Sequence, residues 1–137
     1  IRHCSVRTGD IYSLALPRDA YDAVIIHQVL HFLDDGARAI REAARVLRPG
    51  GRLVVVDFAP HEQEFLREAQ AHRRLGFSRD IVEGWMAAAG LTPVRFQNLA
   101  PDSAGSDKLT VSIWVGRDPR IITDAPALPA AEAIEVA

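Results

Sequence analysis

The stretch Ala44-Arg45-Val46-Leu47-Arg48-Pro49-Gly50-Gly51-Arg52-Leu53-Val54-Val55-Val56-Asp57 decides the fold, because a helical pattern stops there and a continuous apolar run follows at once. Pro49-Gly50-Gly51 reads as the helix stop. Leu53 to Val56 reads as a strand covered on both faces, the habit of parallel sheets. Upstream, Tyr21-Asp22-Ala23-Val24-Ile25-Ile26 ends in a second such run. Between the two runs lies a helix that begins after Asp34 or Asp35 as N-cap and carries Ile40, Ala43, Ala44 and Leu47 on one stripe. Strand, helix and strand within about 35 residues make a right-handed βαβ unit, so the sheet is of the α/β kind.

Further out the signals weaken. His3 to Arg7 reads as a short strand ending at Gly9-Asp10. His61 to about Arg74 reads as a helix with Phe65, Leu66, Ala69 and His72 on one side. Another helix follows Ser78 as N-cap, with Ile81, Val82, Trp85, Met86 and Ala89 facing inward and Gly90 as its stop. The period then changes to two: Val94 and Phe96 alternate with polar neighbours, as do Leu109, Val111, Ile113 and Val115, with residues 101–107 as the loop between them. An antiparallel hairpin is expected to close the sheet. Residues 1–118 are thus expected to form one α/β domain and residues 119–137, rich in Ala, Pro and Glu, a flexible tail.

Composition excludes several classes. The 137 residues leave room for one domain, and 48% hydrophobic with 25% charged residues is the balance of a globular protein. Sixteen basic against eighteen acidic residues give a net charge of −2, so no nucleic acid is expected on this segment. Cys4 stands alone, which excludes an internal disulfide and suits a cytoplasmic setting. The absence of a long apolar run argues against a membrane partner.

In open α/β sheets ligands sit beyond the carboxyl ends of the parallel strands. Those ends deliver Gly9-Asp10-Ile11, His27-Gln28 and Asp57-Phe58, two carboxylates and a histidine around one crevice suited to a small molecule. Asp10 serves equally as a turn-former and Asp57 as a cap. None of the nine glycines lies two positions from another, so neither a G-x-G-x-x-G loop nor a Walker loop is present. His61-Glu62-Gln63-Glu64-Phe65 begins like a zinc motif but places Phe65 where the second histidine belongs. His27 and His31 are four apart but straddle a strand end without a supporting cysteine, so no metal is expected. No G-x-S-x-G elbow is present.

Taken together, Gly9-Asp10, Leu16-Pro17, Tyr21-Asp22-Ala23-Val24, Val29-Leu30-His31-Phe32-Leu33-Asp34-Asp35 and the stretch from Ala44 to Asp57 resemble the middle of a class I S-adenosylmethionine-dependent methyltransferase. The resemblance is specific over about residues 8–57 and looser to residue 116. Asp57-Phe58-Ala59-Pro60-His61-Glu62 with Phe65-Leu66-Arg67-Glu68 and His72-Arg73-Arg74-Leu75-Gly76-Phe77 is similar to methyltransferase-like domains that follow an ArsR-type helix-turn-helix domain. It implies a Rossmann-like sheet in the order 3-2-1-4-5-7-6, with strand 3 at residues 3–8, strand 4 at 22–27, strand 5 at 52–57 and the hairpin as strands 6 and 7. The family's glycine-rich loop and ribose-binding acid would precede residue 1. The chain is therefore expected to be the C-terminal part of a longer protein, lacking the N-terminal strands, with the free edge of strand 22–27 open to a homodimer.

By the same resemblance Gly9, Asp10 and Ile11 would hold the adenine of S-adenosylmethionine or its product S-adenosylhomocysteine, and His27 and Gln28 would lie along its methionine part. Asp57 and Phe58 are candidates for the acceptor side. His31 and His61 are candidate catalytic bases for a hydroxyl or thiol acceptor, imidazole being the side chain that ordinarily titrates near neutrality. Methyl transfer to a small-molecule acceptor is the leading expectation. A nucleoside-binding sensor of an ArsR-type regulator is the alternative, using the same Asp10 and Ile11 without a base. A nicotinamide-dependent reductase shares the architecture but not the methyltransferase-like middle segment.

Overall fold

The computed structural model describes residues 3–60, 76–101, 109–121 and 133–136. In chain order these form β1 (Tyr21–His27), a 3-10 turn (Leu30–Phe32), α1 (Gly36–Val46), β2 (Leu47–Phe58), α2 (Arg79–Ala88), β3 (Thr92–Leu99), β4 (Val111–Arg117) and β5 (Ala133–Val136). The sheet order is β3-β4-β2-β1-β5. β1 runs parallel to both β2 and β5, whereas β4 is antiparallel to β2 and β3. The expected βαβ unit and closing hairpin are both present.

Each element follows from local chemistry. Asp35 caps α1, its side chain accepting the Arg38 backbone N–H at 3.1 Å. The helix buries Ala39, Ile40, Ala43 and Ala44 against Val24 and Ile26 of β1 and Leu53 and Val55 of β2. α2 adds Val82 and Met86, and Trp114 of β4 completes the cluster. Burial alternates strictly along the strands: Val24 and Ile26 are sealed while Ala23 and Ile25 are half-buried, as are Val54 and Val56. The two described helices therefore cover one face fully, and the expected burial on both faces is met on that face only.

The structure corrects several expectations. α1 ends at Val46 and β2 begins at Leu47, so Pro49-Gly50-Gly51 lies inside the strand and not beyond a helix end. There the register slips, Tyr21 facing Leu47 while Ala23 faces Arg52, and the surplus residues are tied by Gly50 N–H to Asp118 O and Asp118 N–H to Gly51 O. Gly51 is required because a Cβ would meet the Arg48 carbonyl at 2.8 Å. In β4 the sealed residues are Ser112, Trp114 and Gly116, whereas Val111, Ile113 and Val115 are half-buried. Trp114 outweighs the β-branched residues because its face lies beneath the helices. Ile81 and Val94, expected inside, are 49% and 50% exposed. Val94 falls at a register shift between Pro93 and Arg95.

Residues 3–8 form no strand; they are exposed, Val6 completely. A strand needs a hydrogen-bonding neighbour, and the outer edge of β1 is taken by β5, Ala23 to Ile26 pairing with Ala133 to Val136. The expected tail therefore contributes a strand, and the edge expected to be free for a homodimer is occupied. The apolar alternation in Ala133-Ile134-Glu135-Val136 suits that edge. The helix expected over His61 to Arg74 and the 101–107 loop lie outside the described residues, apart from Pro101.

Past residue 75 the chain returns to the sheet through a close approach. Gly76 has φ +83°, and a Cβ there would lie 2.1 Å from the Ala59 carbonyl oxygen. This lets Phe77 N–H bond Phe58 O at 2.8 Å and seat its ring edge-on to Trp85, with centroids 5.5 Å apart. Gly76→Ala is expected to lower stability by about 1–3 kcal/mol, read from the midpoint of urea unfolding, because strain and backbone overlap act together.

Candidate functional site

At the carboxyl end of β1 the backbone turns sharply. Gln28 takes φ +53°, while its N–H donates to Val56 O at 2.7 Å and fastens the end of β1 to β2. Leu30, 1% exposed, anchors the 3-10 turn that follows. The turn carries His31 inward onto the end of β2. There His31 Nδ1 meets Asp57 Oδ1 at 2.7 Å, with His31 2% and Asp57 0% exposed.

The pair is held from several sides. Asp57 Oδ1 also accepts the Phe58 backbone N–H at 2.8 Å, and the imidazole lies against Phe32 and Phe58 with centroids 4.1 Å and 4.9 Å away. With Asp57 ionised, its bond favours the tautomer that carries the proton on Nδ1. Asp57 Oδ2 is buried and has no hydrogen-bond partner among the described residues. An orphaned carboxylate oxygen is costly, about 1–3 kcal/mol or more, and marks a place where a donor from a ligand or water is wanted.

The Gly9–Ser13 loop is built separately. Asp10 is exposed, its Oδ1 accepting Tyr12 N–H at 2.9 Å and its carbonyl accepting Ser13 N–H at 3.0 Å, so its turn-forming role is realised. Ile11 and Tyr12 are half-buried against the core. The Tyr12 hydroxyl accepts the Asp35 N–H at 3.2 Å, tying the loop to the amino end of α1. Because α1 runs back from the end of β1, that amino end lies on the same side as His27, Gln28, His31, Asp57 and Phe58. Gly9 is exposed with nothing close to it. His61 lies outside the described residues.

Two features escaped the sequence reading. His31 and Asp57 were candidates for different roles, yet they form one unit across 26 residues. Phe32 was not singled out, although an aromatic residue beside a strand-end histidine was a visible signal. Among the described residues no three histidine, cysteine or acidic side chains converge to hold a metal, and no helix is long and apolar enough to cross a membrane.

The βαβ unit with its antiparallel closing hairpin has the arrangement of a Rossmann-like sheet, as in solved methyltransferase structures. Residues 2–55 match the methyltransferase domain family, whose methyl donor is S-adenosylmethionine. The chain is similar to the protein YafE of Escherichia coli, 33% identical over an alignment of 134 positions that covers 91% of this chain and 62% of that one. It is also similar to the 27-O-demethylrifamycin SV methyltransferase of Amycolatopsis mediterranei, 36% identical over 100 residues, covering 70% of this chain and 35% of that enzyme. Among solved structures, an S-adenosylmethionine-dependent methyltransferase from Thermotoga maritima superposes with a TM-score of 0.67 at 23% identity, over 85% of this chain and 65% of that one. The chain thus spans about three fifths or less of the curated relatives named here.

Proposed function

We infer that this chain is the part of a class I S-adenosylmethionine-dependent methyltransferase that carries the acceptor wall, and that it serves methyl transfer to a small molecule with an ionisable hydroxyl or thiol. The observation that carries this reading is the sealed His31–Asp57 pair at the carboxyl ends of β1 and β2. When bound, S-adenosylmethionine supplies a methyl group on a sulfonium leaving group, so the protein's task is positioning, water exclusion and proton removal. Nucleoside binding alone has no need of a buried imidazole and carboxylate, which favours the enzyme over the ArsR-type sensor.

The residues fit the donor. Asp10 presents an exposed carboxylate on a loop braced by its own turn, beside the apolar Ile11, as an adenine edge requires. Gly9, Asp10 and Ile11 would hold the nucleoside, while His27 and Gln28 would line its amino-acid part. The His31 imidazole would take the proton of the acceptor's hydroxyl or thiol, and the methyl group would come from S-adenosylmethionine held by those residues. Asp57 Oδ1 keeps the imidazole in the receiving tautomer. Phe32 packs on the imidazole and is 41% exposed, so it stands between His31 and solvent. The 27-O position in the name of the Amycolatopsis relative supports an oxygen acceptor. His61 remains the second candidate base.

Calorimetric titration with S-adenosylmethionine and S-adenosylhomocysteine tests the donor. Saturable binding of both is expected, with Asp10→Ala weakening each by about 1–3 kcal/mol, the loss of a charge-assisted hydrogen bond. The reading fails if neither binds. A strong preference for the homocysteine form with no turnover would support the sensor instead.

A further inference from the structure

A groove of about 630 Å³ runs along α1, from Tyr12 and Arg38 at its amino end to Asp19, Asp118 and Arg120 at the amino ends of the parallel strands. Its size is that of a small-molecule site. Its lining is unusual for a chain of net charge −2, holding five arginines against three acids. Arg38, Arg41 and Arg45 share one ridge of α1 at helical spacing, and Arg18 faces them from the segment before β1.

The acids are already committed. Glu42 holds Arg45 through bonds of 2.7 to 3.2 Å, and the Arg45 guanidinium keeps its carboxyl below the usual range. Asp118 and Asp19 both hold Arg120, at 2.6 Å and 2.9 Å. The remaining cations are less committed: Arg38 rests on the Tyr12 ring at 5.0 Å, Arg18 is exposed and acts on Glu42 only through space, and Arg41, also exposed, makes no ion pair or hydrogen bond among the described residues. Repelling cations gathered on one groove are stable enough to persist but gain most when an anion joins them.

We propose that this groove is a binding site for a compact multivalent oxyanion, bearing phosphate or carboxylate groups, held by Arg18, Arg38 and Arg41. Planar guanidinium forks match either group with paired hydrogen bonds. Arg45 and Arg120, braced by their acids, form the fixed floor beside the ligand. Neither His31 nor Asp57 lines the groove, and the proposal does not depend on the methyltransferase reading.

The test is calorimetric titration of the chain with inorganic tripolyphosphate and, in parallel, citrate at low ionic strength. Saturable binding of at least one is expected, the preference telling phosphate from carboxylate. The double variant Arg18→Gln/Arg41→Gln should weaken it by about tenfold or more, the loss of charge-assisted hydrogen bonds. Arg52→Gln/Arg117→Gln removes the same charge from an exposed cross-strand pair outside the groove and should change affinity by less than about twofold, as a screened surface effect. Circular dichroism checks that both variants fold. Failure of both probes to saturate, or equal weakening by the two double variants, overturns the proposal.

Discussion

Trp114→Ala is expected to destabilise the chain by about 3–5 kcal/mol, the range for truncating a large buried aromatic side chain. Trp114 is the largest fully buried side chain described, on the face of β4 that lies beneath α1 and α2. Its indole Nε1–H donates to the Arg79 carbonyl at 3.2 Å, joining β4 to the first turn of α2, and its ring lies 5.4 Å from that of Phe96 on β3. Truncation removes apolar contact, leaves a cavity and deletes the indole bond to the Arg79 carbonyl at once. Against a typical domain stability of about 5–15 kcal/mol this is a large fraction. Urea unfolding should show a lower midpoint at unchanged slope. Trp114→Phe should recover most of the loss, since the hydrogen bond contributes only about 0.5–1.5 kcal/mol. A loss from Trp114→Ala below about 1 kcal/mol would mean that this face is not the core.

What the sequence made legible was local. Val24-Ile25-Ile26, the Ile40-Ala43-Ala44 stripe, the cap at Asp35 and Leu53 to Val56 each carry their signal within a few residues, and the βαβ unit follows from their order. What escaped was pairing between distant segments. The slip at Pro49 to Gly51 depends on which β1 residue each β2 residue meets, and alternation in β4 defines two faces without saying which the helices cover. Residues 3–8 and 133–136 exchanged expectations for the same reason: strand formation is decided by an available edge, and the edge of β1 went to the C-terminal segment. In the candidate site the residue types were visible, yet only the turn at Gln28 brings His31 onto Asp57.

Asp57→Asn is expected to lower methyl transfer to a hydroxyl acceptor by about 10²–10⁴-fold, the usual contribution of a positioned general base, while leaving S-adenosylhomocysteine affinity within about twofold. The asparagine keeps the shape of the carboxyl group, so packing against His31 and Phe58 is retained. What changes is the proton: an amide N–H turned toward Nδ1 stabilises the tautomer protonated at Nε2, and the base then has no lone pair where the acceptor arrives. His31→Ala should give a loss of the same order, and the double variant little more, because the two residues act as one unit. Release of S-adenosylhomocysteine across a panel of phenols, alcohols and thiols measures turnover. Nitrogen NMR of the labelled imidazole reports the tautomer directly, a signal that a purely structural role would not move. Turnover unchanged in Asp57→Asn with the tautomer inverted would remove His31 as the base and turn attention to His61. Unchanged turnover with the tautomer still on Nδ1 would show that the Phe58 N–H and the aromatic walls orient the pair without the carboxylate's charge.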